Sequence, residues 1–248
     1  MSGDPYWGKV DLFVPMVGAN GSTTFTDLSD YANSLTAIGN AQISTAQYKF
    51  DDSSGLFDGS GDYISIANNE VGDFYTYGGG TIESWLRITS LAASSVIFQT
   101  YTNTGSSNGF VFFVGTSGGV GVYAREYYVI NPTSSVGSIS TNTWYHVALS
   151  ITAQGNAKIH VDGVNVASGT FSSSAGMDNT DKTYIGGDIY GVSLTGNMQY
   201  TRRTRGVARY SANFTPPAVP FDTFGPPILS TAIQCPRIQT FNPLIFHS

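Results

Sequence analysis

Short β-prone runs, each cut off by glycine and serine, leave this chain little choice of fold. The strongest local signal is Asp162-Gly163, between residues 158–161 and 164–167. Asp-Gly suits the positive-φ positions of a type I′ hairpin turn. Further strands are expected at 62–66, 81–88, 95–100, 110–114, 120–124, 127–130, 143–151, 183–186 and 194–200. In TIESWLRI (81–88), Ile82, Ser84, Leu86 and Ile88 share one face, and Glu83, Trp85 and Arg87 the other. The apolar run FVFFV (110–114) reads as a strand buried on both faces. The clusters SSGLFDGSGD, YGGGT, TNTGSSNG, GTSGG and SGTFSSSAG read as turns. Roughly a dozen strands at this spacing predict an all-β fold, a two-sheet antiparallel sandwich or barrel.

Composition agrees. Charged residues are 11% of the chain, against about 25% in ordinary soluble domains. The acids are 14 Asp and 3 Glu, a turn-rich rather than helix-rich balance. With 41% hydrophobic residues the chain can bury a core, which argues against disorder. Cys235 is alone, so a disulfide framework is excluded. No apolar run approaches the ~18 residues of a membrane span, and membrane insertion is not expected. The start, MSGDPYWGKVDLF, lacks the pattern of a signal peptide, so synthesis in the cytoplasm is expected.

Charge is sorted along the chain. Residues 1–200 carry a formal −10 and residues 201–248 a formal +4. Four arginines fall at 202, 203, 205 and 209, and seven of the ten prolines fall between Pro216 and Pro243. Residues 225–248 contain no acid. Proline density argues against a central strand there, yet the segment is too apolar for a solvated tail. The division expected is a sandwich over 1–221 and a contact segment over 222–248. Expected partner-contact residues are Arg202, Arg203, Arg205, Ile228, Leu229, Ile233, Phe241, Leu244, Ile245 and Phe246. The arginine run reads either as a solvated strand edge that blocks pairing or as a dock for an acidic neighbouring copy. The acidic chain (pI about 4.8) speaks against nucleic acid.

A series of motifs is more specific. It runs ANGSTTFT (19–26), ISTAQYKF (43–50), GLFDGSGDYISI (55–66), GTIESWLRI (80–88), NTWYHVALSI (142–151), AKIHVDGVNVASGTF (157–171), YIGG (184–187) and RGVARYSANFTPPAVPF (205–221). In that order the series resembles the laminin-G-like jelly-roll domains of the concanavalin A-like lectin/glucanase superfamily, in the version common in phage and marine bacterial proteins. The resemblance implies a curved two-sheet jelly roll whose concave face or rim loops hold a glycan or calcium. The family's strand before GVARY carries acids, whereas GNMQYTRRTRGVARY here has Met198, Gln199, Arg202 and Arg203.

Hydrolysis of a glycoside needs two carboxylates about 5–9.5 Å apart. Glu83 has no acid near it in sequence and reads as a rim or cross-strand polar residue. His146 and His160 read as surface or sheet-packing residues. No enzyme activity is expected. Sugar sites pair aromatic rings with polar groups, which makes Tyr101, Arg125, Tyr127, Tyr128 and Tyr190 the candidate glycan-binding residues. Loop acids Asp58, Asp62, Asp178 and Asp181 are candidate calcium ligands, with turn hydrogen bonding as their alternative use. The function expected is a phage virion structural protein with a lectin-like domain: a fibre, tail or capsid-surface component. It would contact sister subunits in a homo-oligomer, other virion proteins and host glycans. The alternative is a bacterial surface or secreted glycan-binding module.

Overall fold

A computed structural model describes residues 3–225, apart from 68, 101–108, 125–126, 173–176 and 178–181, and apart from the side chains of Asn69, Glu70 and Tyr127. Two antiparallel sheets face each other across one core. The first contains β1 (Val10–Val14), β3 (Gln42–Ser44), β4 (Ser54–Ser60), β6 (Gly79–Ile88), β11 (Trp144–Thr152), β12 (Asn156–Val161), β13 (Val164–Thr170) and β15 (Val192–Arg205). The second contains β2 (Leu35–Ile38), β5 (Tyr63–Ile66), β7 (Ser95–Gln99), β8 (Phe110–Val114), β9 (Val120–Ala124), β10 (Tyr127–Ile130) and β14 (Thr183–Ile185). The order in the first is β13-β12-β11-β6-β15-β4-β3, with β1 also on β15. The order in the second is β10-β9-β8-β7-β14-β5-β2. Of the sandwich and the barrel that the strand pattern left open, this is the sandwich, in the jelly-roll form that the motif resemblance implies.

Period-two alternation builds the core. Ile82, Leu86 and Ile88 of β6 point between the sheets, beside Val147, Leu149 and Ile151 of β11. Phe110, Phe112 and Val114 meet them from β8. The β12–β13 hairpin turns at Asp162 (φ 46°) and Gly163 (φ 78°), as a type I′ turn requires.

Two local expectations need correction. Residues 54–60 form strand β4 rather than a turn, because β15 and β3 pair with both its edges. Strand β8 is not buried on both faces, since Val111 and Phe113 are half-buried on its outer side.

Strand β15 organises the first sheet. It pairs β4 along its first part, β1 along its second, and β6 along most of its length. One extra residue lies between Gln199 (opposite Trp85) and Arg202 (opposite Glu83), a β-bulge with Tyr200 at φ 57°. The bulge sets the faces of the residues that follow: Arg202 opposes outward-facing Glu83, and Arg203 opposes inward-facing Ile82.

After β15 the chain crosses the outer face of the first sheet. The Arg209 N–H donates to Thr81 Oγ1 (2.9 Å), Lys158 Nζ donates to the Ser211 carbonyl (2.6 Å), and the Phe214 N–H donates to the Gly163 carbonyl (2.9 Å). This strap brings Tyr210 and Phe214 down as a stacked pair, with centroids 3.7 Å apart.

Candidate functional site

The face beneath the strap holds a buried ionic network centred on Glu83. Glu83 Oε1 accepts from Arg202 Nε (3.0 Å) and Nη2 (2.8 Å). Its Oε2 lies 3.0 Å from His146 Nε2 and accepts from the Tyr210 hydroxyl at 2.7 Å. Arg202 Nη1 donates to Asp4 Oδ2 (2.8 Å), and Arg209 grips both oxygens of Asp4. Phe221 closes the site, with the Arg202 guanidinium 4.1 Å over its ring. Burial alone would raise the Glu83 pKa, but Arg202, His146 and Arg209 outweigh it and hold the carboxyl well below its usual range. Asp4 is held low in the same way: burial opposes, and Arg209 and Arg202 prevail. Burial and the Glu83 charge push the Tyr210 hydroxyl upward, so it stays a donor.

Of the two readings of Glu83, rim or cross-strand polar residue, the structure takes the second, with Arg202 opposite it on β15, and His146 is the sheet-packing kind, wholly buried against Trp85. Every strong acceptor position of Glu83 is occupied and the strap lies over it. The arrangement fixes the strap and the N-terminal residues to the sheet, and leaves no room beside Glu83 for a substrate.

The arginine run also departs from its expected role. Arg202 is 5% exposed and Arg203 0%, and both spend their charge inside the chain, so neither forms a solvated edge or a partner contact. Arg203 pairs with the Asp11 carboxylate, donates to the Asp73 carbonyl, and has its guanidinium 4.6 Å over the ring of Phe74. Asp11 is less well satisfied than Glu83, because its Oδ1 is buried without a hydrogen bond among the described residues. Burial there outweighs Arg203 and raises the Asp11 pKa to about 6. Arg205 is half-buried, over Tyr31 (4.6 Å) and Tyr77 (4.9 Å). Alternation and the bulge turn one arginine run toward different acids: Arg202 toward Glu83 and Asp4, and Arg203 toward Asp11, the last two near the other end of the chain.

The loop acids perform turn chemistry. Asp62 is fully buried and its carboxylate accepts from the backbone N–H groups of Asn40 and Asp58. Asp58 accepts from Asn40 Nδ2 (2.9 Å) and the Ser60 N–H (2.8 Å). Among the described residues no group of His, Cys, Asp or Glu side chains is placed to hold a metal ion. Asp178 and Asp181 lie outside the described residues.

The second sheet's outer face is different. Cross-strand register places one residue per strand in a row: Tyr128, Tyr123, Val111, Gln99, Tyr184, Ser65 and Thr36. The row is open at the β10 end, where Tyr128 is 51% exposed. The Tyr128 ring meets Tyr123 edge-on (5.3 Å) and Phe113 at a tilt (6.4 Å). Toward the middle the row closes, with Gln99 and Tyr184 buried, and Tyr63 packs edge-on against Tyr184 (5.5 Å). A sugar ring can stack on the Tyr128 end, where aromatic faces are held on strands rather than loops.

The expected glycan residues do not all meet here. Tyr128 is on the face, and Tyr127 is in the same strand, its side chain outside the description. Tyr190 is 53% exposed in the turn after β14, four strands away from β10, or about 19 Å at ~4.8 Å per strand. Tyr101 and Arg125 lie outside the described residues, as do the contact residues Ile228, Leu229, Ile233, Phe241, Leu244, Ile245 and Phe246. Phe113 and Tyr123 belong to the face and were hidden by the apolarity of FVFFV and VGVYA. The signal that finds them is their alternation with Phe112 and Val122.

A two-sheet jelly roll of this strand order, with one face strapped and the other aromatic, has the architecture of a lectin-like fold. Residues 58–202 match the family model described as the concanavalin A-like lectin/glucanases superfamily, and the chain belongs to that superfamily. No curated protein sequence matches it. Among solved structures it is similar to domain 4 of AbnA, an extracellular arabinanase from Geobacillus stearothermophilus, solved with arabinotriose. Identity is 16%, the TM-score 0.59, and the match covers 82% of this chain and 95% of that one. It is also similar to the receptor-binding domain of a botulinum neurotoxin C/D mosaic serotype (14%, TM-score 0.59, 84% of this chain). A third is the serotype D ligand-binding domain in complex with N-acetylneuraminic acid (14%, TM-score 0.58, 85% of this chain). The chain spans about half the length of those neurotoxin domains.

Proposed function

We propose that this chain is a non-enzymatic carbohydrate-binding module whose ligand stacks on the outer face of the second sheet, at Tyr128, Tyr123 and Phe113. The observation that carries the reading is the exposed Tyr128 ring, braced by two aromatic neighbours at 5.3 and 6.4 Å. Such a ring offers a flat apolar surface to a pyranose or furanose at little entropic cost, because its neighbours already hold it. Similar folds solved with arabinotriose and with N-acetylneuraminic acid support the ligand class. The formal charge of −6 favours a neutral glycan over an anionic one. The enclosure of Glu83 argues for binding without cleavage. A glycan array probed with the full chain tests this. Binding to neutral oligosaccharides that Tyr128→Ala weakens supports the reading. Silence across the array, or binding indifferent to Tyr128, overturns it.

A second reading concerns where the module works. We propose display on a phage particle, favoured by the phage-type motif series from GLFDGSGDYISI to RGVARYSANFTPPAVPF and by the apolar, acid-free end of the chain. Antibodies raised against the sandwich should decorate such particles in electron micrographs. Decoration of bacterial envelopes instead would favour the surface-module alternative.

A further inference from the structure

Between β1 and β3 the chain leaves an extended segment without a partner. The Ser22 carbonyl accepts from the Ile43 N–H (2.7 Å), and the Leu28 N–H donates to the Phe13 carbonyl (2.8 Å). Between those points, residues 23–27 make no backbone–backbone hydrogen bond among the described residues. Their side chains alternate as in a strand: Thr24, Thr26 and Leu28 are exposed, and Phe25 and Asp27 are buried. A half-open cavity of about 210 Å³ runs along this segment, with walls that include Met16, Val17, Phe25, Leu28 and Ile43. Val17 and Leu28, at its lips, are each 45% exposed. An unpaired extended backbone beside an apolar pocket is what an added strand requires. Main-chain bonds supply affinity, and alternate side chains fill the pocket.

The chain contains a segment of matching chemistry. Residues 228–235, ILSTAIQC, form a proline-free stretch between Pro227 and Pro236. Proline cannot donate within a ladder, so these two residues bound the longest stretch of the tail able to pair. On an extended strand Leu229, Thr231, Ile233 and Cys235 share one side, which offers two large apolar side chains to a pocket. The described chain also ends nearby. The Asp4 N–H donates to the Phe224 carbonyl (3.0 Å), and Gly225 lies against Trp7. The Trp7 ring packs on Phe13 (6.1 Å), and the Phe13 backbone already holds Leu28. From Gly225 the extended chain reaches up to about 10 Å to residue 228 and about 33 Å to residue 235.

We propose that residues 228–235 of this same chain add as a strand along residues 23–27, with Leu229 and Ile233 in the cavity. The tether makes the contact intramolecular at an effective concentration in the millimolar range, which favours the chain's own segment over another copy's.

Cys235 is the chain's single cysteine, so one added cysteine makes a test. In the full chain, Thr24→Cys, Thr26→Cys and Leu28→Cys are made one at a time at exposed positions and oxidised gently. At least one is expected to lose both free thiols while running as a monomer on a non-reducing gel. Val136→Cys is 61% exposed beside β9 and β13, at the opposite edge, and should keep both thiols. If all three groove variants keep their thiols as Val136→Cys does, the proposal fails. Disulfide-linked dimers would also overturn it, by giving the groove to a second copy. Near-native circular dichroism of each variant shows that the groove survived.

Discussion

The two outer faces of this sandwich solve opposite problems. The first sheet turns charge inward: Glu83, Arg202, Asp4 and Arg209 are nearly or fully buried in one mutually satisfied network beneath Tyr210 and Phe214. The second sheet leaves rings outward: Tyr128 is half exposed and braced by its neighbours. A face so thoroughly covered by its own chain contributes to stability and has little left to offer a ligand. A face held rigid but left open contributes little to stability and can bind. Substitutions should therefore separate the two properties cleanly.

The largest effect is expected from Glu83→Gln. It leaves buried Arg202 with Asp4 as its remaining anion, and breaking a buried pair of this kind costs about 3–5 kcal/mol. Urea denaturation should show that loss, while the fraction that remains folded binds sugar as before. A loss of affinity without a loss of stability would place the ligand on the wrong face in this account.

Acid titration sharpens the contrast within the buried charges. The folded pKa values of Glu83 and Asp4 are depressed, so their contribution is complete above the ordinary values of 4.5 and 3.8. It drains away as pH falls below them, because the unfolded chain then binds the protons. Asp11 has the opposite sign. Its folded pKa of about 6 means its contribution is present below 3.8 and is lost as pH rises through 6. Melting temperatures taken from pH 3 to 7 should rise through the acid range. The rise should be steeper above pH 4 in Asp11→Asn, which removes the opposing group, and shallower in Glu83→Gln.

Much of the fold was legible because local and global signals agree. Asp162-Gly163 makes its type I′ turn, and the alternation in TIESWLRI sends Glu83 and Trp85 to one face as read. Strand β4 was not legible, because GLFDGSGD has turn composition and becomes a strand through its neighbours β3 and β15. The fate of the arginines was hidden for two physical reasons. The bulge at Tyr200 shifts the phase of β15 so that Arg202 comes opposite Glu83, and the further anions that receive Arg202 and Arg203 lie at Asp4 and Asp11, nearly the whole chain away. Of the open aromatic face, Tyr128 could be named from its place beside a turn. Phe113 and Tyr123 needed the sheet order, since an apolar run does not announce which side it leaves open.

On the open face, Tyr128→Ala should weaken binding of a neutral oligosaccharide about tenfold, near 1.4 kcal/mol, by removing the stacking surface. Its thermal stability should stay within about 0.5 kcal/mol of the parent, as for an ordinary surface change. Isothermal titration and a melting curve on the same sample read both. A large drop in melting temperature would show that the ring is structural and that the two faces are less distinct than drawn.

The smallest effect is expected where the faces give no contrast, at Arg205. Its guanidinium lies over Tyr31 and Tyr77 at 4.6 and 4.9 Å, and it is half-buried, unlike Arg202 and Arg203. A cation over a ring at such a site contributes about 0.5–1 kcal/mol. Arg205→Ala should therefore lower stability by that much, and Arg205→Lys by less, because the ammonium keeps the charge and loses the planar stack. Neither should alter sugar binding. A loss of several kcal/mol would move Arg205 into the buried class with its neighbours, and β15 would then carry three structural arginines in place of two.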